Sequence, residues 1–134
     1  MDKTLGLLGI ARRGNLLALG EDAVSGVCRD NHARLVLLAA DAGDSVSHRA
    51  EYLTRGGKIP LLRLDYDKAT LGAAVGRNVC PIAALTDVRL ALAVAETIPQ
   101  ADAAVVEALS RGSARVVKRR QEEKAHARNL RRGK

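Results

Sequence analysis

Apolar residues in this chain fall into two forms, short unbroken runs and sets spaced three or four apart, which alternate from Leu5 to Leu109. Unbroken runs of strand length predict strands covered on both faces, and helical spacing predicts amphipathic helices. Leu5, Leu8 and Ile10 predict a first helix, with Thr4 as N-cap and Arg12, Arg13 and Gly14 closing it. Cations in a last turn and glycine beyond it are ordinary C-terminal chemistry. Leu16 to Leu19 predicts a strand. Gly20, Glu21 and Asp22 then open a second helix through Ala23, Val24, Val27 and Cys28. Ala33 to Ala40, centred on Leu35 to Leu38, reads as the central strand.

Asp41 to Ser45 is turn and cap chemistry, and Val46 with Arg49 to Leu53 predicts a helix closed at Gly56 and Gly57. Ile59 to Leu64 predicts a third strand, with Pro60 near its start, where strands tolerate proline. A helix follows from Asp67 through Leu71 and Val75 to Gly76, then a strand at Ile82 to Leu85 and a helix from Val88 to Glu96. Strands alternating with helices define the α/β class. The expected architecture is a three-layer α/β/α sandwich with a four-stranded mixed sheet. Beyond Pro99, Ala101, Ala104, Val105, Ala108 and Leu109 predict a last helix, interrupted at Gly112 and Ser113.

Charge divides the chain where the apolar pattern stops. Residues 1–110 carry 12 Lys+Arg against 13 Asp+Glu, whereas residues 111–134 carry 10 against 2, so a net of −1 meets a net of +8. A block of like charge repels itself and suits a polyanion. From Arg115 onward only Val116, Val117 and Leu130 are aliphatic and larger than alanine, too few to bury a face. Arg, Lys, Gln, Glu and Ala all favour helix, so this basic arm is read as helical or disordered. It is expected to lie on RNA phosphates through Arg115, Lys118, Arg119 and Arg120, the alternative being a solvated tail.

Phe and Trp are absent, and Tyr52 and Tyr66 are the only aromatic residues besides histidine. The core is therefore aliphatic, with both tyrosines placed at its rim. Recognition surfaces that stack bases on rows of exposed rings are excluded. Cys28 and Cys80 have neither metal-ligand spacing nor a disulfide framework, and are read as small buried apolar residues. Met1 to Gly14 is too charged for a signal peptide, and no run approaches membrane length. A cytoplasmic protein without membrane contact is expected. No phosphate-binding glycine loop follows a strand, and His32, His48 and His126 stand at no catalytic spacing from Ser or Cys. The expectation is no enzyme, no cofactor and no metal. A small-molecule α/β enzyme stays as a third reading, which a ligand at the C-terminal edge of the strands would revive.

Five local patterns occur in one order: Leu7 to Arg13, Gly20 to Val24, Leu35 to Ala42, Thr70 to Val79, and Ala84 to Asp87. Together they resemble the bacterial YlxQ-type branch of the superfamily that includes the kink-turn-binding ribosomal proteins. The resemblance covers about residues 5–97. It implies an RNA-binding domain over residues 1–98, followed by a C-terminal helix and basic arm over 99–134. It also implies that two loops, the Gly20 junction and the Gly76 to Cys80 segment, meet at one edge. In kink-turn binders the first helix terminus enters the major groove, where Asn, Glu and Lys read guanine edges and phosphate. The second loop packs apolar side chains on a flipped nucleotide.

Gly20 matches that pattern, whereas Asp22, Ala23 and Gly26 stand where the Asn, Glu and Lys fall. Val79 keeps the apolar contact, beside Arg77 and Asn78. Weak binding to a standard kink-turn is expected. Glu21 or Asp22 can still accept from guanine N1–H and N2–H, although carboxylates in a first turn also simply stabilise a helix by about 0.3–1 kcal/mol. Arg12 and Arg13 have the same two readings, as RNA contacts or as dipole partners. The expected partner is ribosomal or ribosome-associated RNA, with further ribonucleoprotein components. The competing class is a protein-interaction adaptor, since stress-response members of the superfamily bind proteins with this fold.

Overall fold

A computed structural model describes residues 2–132 and the side chains of residues 2–128. Six helices and four strands follow one another as α1 (Lys3–Arg13), β1 (Leu17–Leu19), α2 (Glu21–Arg29), β2 (Leu35–Leu38), α3 (Asp44–Leu53), β3 (Leu61–Arg63), α4 (Lys68–Val75), β4 (Ile82–Leu85), α5 (Val88–Ala95) and α6 (Ala103–Arg132). The strands order as β1-β4-β2-β3. β4 is antiparallel to both neighbours, with Leu17 opposite Leu85 and Val36 opposite Ala84, while β2 and β3 run parallel. The sheet is mixed, as expected.

The two unbroken apolar runs occupy the two inner strands, and every residue of β2 and β4 is buried. Alternate side chains feed opposite layers. Leu35, Leu37, Ala83 and Leu85 pack with Leu8 of α1, Leu71 and Val75 of α4, and Val94 of α5. On the other face, Val36, Leu38, Ile82 and Ala84 pack with Val24 and Cys28 of α2 and Ala50 of α3. Cys28 and Cys80 are both buried and belong to opposite layers, so they cannot meet. Burial pushes both thiols above their ordinary range, an effect Arg77 partly offsets at Cys80.

Four helices begin at an aspartate whose side chain accepts from a first-turn N–H: Asp2, Asp67, Asp87 and Asp102. Asp2, and not Thr4, caps α1. Thr4 lies inside that helix, donates its N–H to Asp2 at 2.7 Å, and pairs through its hydroxyl with Thr97. Helix α3 ends at Leu53 with Thr54 as its cap, before the two glycines. Tyr66 packs at the rim of the core, but Tyr52 is 62% exposed with Arg55 over its ring, so only one tyrosine contributes to packing. Ile10 also faces outward, at 50% exposure.

The expected interruption at Gly112 and Ser113 does not occur. α6 runs unbroken for 30 residues, about 45 Å at 1.5 Å per residue. Gly112 is a close-approach position rather than a break, since a Cβ there would lie 3.0 Å from Val88 Cγ2. Val105, Val106 and Leu109 join the core on the α5 side, which anchors the root of the helix. From Val117 to Arg128 every side chain is exposed except the half-buried Ala125 and Ala127, so the domain covers little of this stretch. No helix among the described residues is long and apolar enough to cross a membrane.

Candidate nucleic-acid interface

Gly20 sits at φ 89° and ψ 165°, backbone that only glycine adopts at little cost. Its N–H donates to Ile82 O at 3.1 Å, which ties the start of α2 to the strand fed by the Gly76 to Cys80 segment. No side chain caps α2, unlike the four aspartate-capped helices. First-turn N–H groups left this way are ready anion donors.

The second loop is fixed by two glycines. Gly76 ends α4 in the left-handed conformation at φ 76°. Gly72 lets the loop lie on the helix itself, because a Cβ there would stand 2.7 Å from Arg77 O and 2.9 Å from Asn78 O. Arg77 N–H donates to Gly72 O at 2.8 Å and Cys80 N–H to Lys68 O at 2.8 Å, closing the segment at both ends. Arg77, Asn78 and Val79 are thereby turned outward, with Val79 52% exposed.

Along the outer edge of β1 runs a groove of about 580 Å³. Arg12 from the end of α1, Ala23 from the first turn of α2 and Arg77 from the second loop all line it. One groove thus brings Arg12, Ala23 and Arg77 together, while Gly20, Asn78 and Val79 lie outside its lining. Asn15, His32 and Arg34 line it as well, and none of these was among the RNA contacts expected from the sequence. Asn15 and Asn31 hold left-handed turns, at φ 58° and 60°. Asn is tolerated in that conformation, and an Asn ahead of a strand run was the available signal. Arg34 Nη1 donates to Asn31 O at 2.7 Å and Ala33 O at 3.3 Å, which holds its guanidinium at the rim. Among the described residues no carboxylate lines this groove.

The other candidate residues are placed differently. Arg13 is exposed but lies outside the groove. Glu21, half-buried, and Asp22, exposed, flank the groove at the start of α2 without lining it. Arg115 and Arg119 line a second groove beside α6, while Lys118 and Arg120 are exposed on the same helix outside it. Among the described residues no His, Cys, Asp and Glu side chains converge as metal ligands.

The family model of the Ribosomal protein L7Ae/L30e/S12e/Gadd45 family matches residues 2–96. The chain belongs to that family. It is 32% identical over 81 residues to the RNA-binding protein YlxQ of Bacillus subtilis (strain 168), across 60% of this chain and 80% of the relative. A solved structure of a Bacillus halodurans C protein of unknown function is similar at a TM-score of 0.68 and 26% identity, covering 72% of this chain and 97% of that one. The Giardia lamblia 15.5kD RNA binding protein is similar at a TM-score of 0.60 and 22% identity, covering 80% and 87%, a likeness that speaks for the fold alone. The family match covers both loops of the β1 edge and stops before α6.

Proposed function

We propose that this protein binds structured RNA, without catalysis or cofactor, through the β1-edge groove, with α6 placing cations on neighbouring phosphates. The observation that carries this reading is the convergence of Arg12, Ala23 and Arg77 on one groove that holds no carboxylate among the described residues. The uncapped terminus of α2 beside it offers N–H groups to phosphate. Exposed Val79 offers an apolar surface to an unstacked base. Membership of a ribosomal protein family and likeness to an RNA-binding relative support ribosomal or ribosome-associated RNA as the target, met in the cytoplasm.

Base reading belongs to the edge and phosphate contact to the exposed helix. Replacing Arg77 and Asn78 with Ala is expected to reduce the preference for a bulged RNA hairpin over single strands. Replacing Lys118 and Arg120 is expected to weaken all RNAs alike and flatten the salt dependence by about one phosphate contact per cation removed. Identical behaviour of the two mutant sets would sink the reading. A protein target would show itself as retained binding to a protein partner with no RNA affinity after removal of the arm.

A further inference from the structure

A second groove, of about 760 Å³, lies between α6 and the chain leading into β3. Its cations are Arg34, Lys58, Arg115 and Arg119. Among the described residues Asp102 is the one carboxylate lining it, and that group is already engaged in capping α6, accepting from Val105 N–H at 2.9 Å. The single ion pair among the described residues is Arg111 with Glu107, so none of the four groove cations is neutralised by a partner.

Arg34 lines both grooves. Its bonds to Asn31 O and Ala33 O use one guanidinium nitrogen and tie the side chain to the turn before β2. The remaining N–H donors of the fork stay available to phosphate. Gly112, Arg115, Val116 and Arg119 recur at helical spacing on the face of α6 that lines the second groove. Close packing of Gly112 on Val88 fixes that face at its root. The arm is therefore fixed at its root, with two of its cations lining the groove it shares with the body.

We propose that one structured RNA runs from the β1-edge groove across Arg34 onto the inner face of α6, so that the two basic surfaces form one continuous phosphate track. This rests on the RNA-binding reading of the β1 edge and gives it a direction and a length. An acidic peptide could also be accommodated by the aliphatic floor, which includes Ile59, Leu61 and Val88. Continuity favours RNA: a peptide seated beside α6 has no use for cations that carry on through Arg34 to Arg12 and Arg77.

The test uses the full chain and two bulged RNA hairpins, one with a long stem and one trimmed to the bulge and its flanking pairs, titrated by fluorescence anisotropy over a range of salt. Arg34→Gln, and the pair Arg115→Gln with Arg119→Gln, are each expected to weaken the long hairpin about tenfold and to flatten its salt slope by about one per cation. The Arg115→Gln and Arg119→Gln pair is expected to change the short hairpin by less than about twofold, whereas Arg34→Gln, which touches both grooves, is expected to weaken the short hairpin as well, by less than it weakens the long one. Lys58→Gln, on a loop, repeats the test should Arg34→Gln disturb the Asn31 turn. The pair Lys118→Gln with Arg120→Gln removes equal charge outside the groove and is expected to act equally on both hairpins.

If the groove pair and the outer pair behave alike on both stems, the track does not exist. The RNA reading itself survives that result if Arg77→Ala still weakens both hairpins, and falls with it if Arg77→Ala changes neither. A Glu- and Leu-rich peptide that binds wild type but not Arg34→Gln, with RNA affinity unmoved by that substitution, would assign the second groove to a protein and overturn the proposal.

Discussion

Gly72 and Gly26 are both helical glycines, and the same substitution is expected to act on them with opposite sign. At Gly26 a Cβ would meet nothing within 4 Å. Gly26→Ala therefore keeps only the helix-propensity gain and should stabilise by about 0.5–1 kcal/mol. At Gly72 the new Cβ would lie 2.7 Å from Arg77 O and 2.9 Å from the carbonyl carbon and oxygen of Asn78, all backbone atoms. No side chain can rotate away, so either the loop lifts from α4 or the helix shifts under it. Overpacking of that kind costs about 1–3 kcal/mol, which outweighs the propensity gain. Lifting the loop also strains the Arg77 N–H to Gly72 O bond of 2.8 Å. A net loss of about 1–2 kcal/mol lowers the melting temperature by about 4–10 °C in a domain of this size. Far-UV circular dichroism melts of the two variants beside wild type measure this. The affinity for a bulged RNA hairpin should fall with Gly72→Ala and hold with Gly26→Ala. If both variants melted above wild type, the second loop would not lie on α4 and the shape of the edge argued from it would be wrong.

Combined substitution of Asn at 22, Glu at 23 and Lys at 26 should raise affinity for a standard kink-turn by several powers of ten, since each restored polar contact is worth about 1–3 kcal/mol. Asp22 and Ala23 are exposed and position 26 is open, so the new side chains fit, and unchanged binding in a fixed-salt titration would count against the placement of α2 in the RNA groove. Truncation after Leu109, the last buried residue of α6 among the described side chains, should leave a cooperative melt within a few degrees of wild type, and a large fall in melting temperature would show that the basic helix helps to hold the fold. The Tyr66 hydroxyl donates to the Asp2 carboxylate, as does Thr4 N–H, and together they hold that carboxyl below its ordinary 3.8. Its folded-state value is depressed, so its stabilisation is present above about pH 4 and lost as the pH falls through the folded value. Tyr66→Phe should therefore flatten the acid side of a plot of melting temperature against pH, and an unchanged acid limb would refute the link.

Much of the scaffold was legible because local chemistry and burial agree. Leu35 to Leu38 and Ile82 to Leu85 are apolar without alternation because both faces of each inner strand are covered. Asp67 and Gly76 mark the two ends of α4 as cap and left-handed terminator. Gly112 misled because propensity reads a mid-helix glycine as a break, whereas tertiary packing on Val88 makes it a contact. Thr4 misled because the better cap, Asp2, stood two residues earlier and Thr4 had a distant partner in Thr97. Of the candidate site, Arg12, Arg77 and the α2 terminus were within reach of sequence motifs. Arg34 was not: it falls inside the run Ala33 to Ala40 that predicts the central strand, whereas β2 begins at Leu35. Only the sheet order, which sets the start of β2 beside β4 and one strand from the β1 edge, brings it to the groove.

The most direct test of the central claim is ultraviolet crosslinking in cells, with mapping of both the RNA and the crosslinked peptides. Crosslinks are expected in peptides containing residues 12–23 and 76–79, joined to one structured ribosomal or ribosome-associated RNA, with a second set along α6. Crosslinks confined to residues 115–132 and spread over unrelated RNAs would show that the basic helix alone meets RNA and that the β1-edge groove does not.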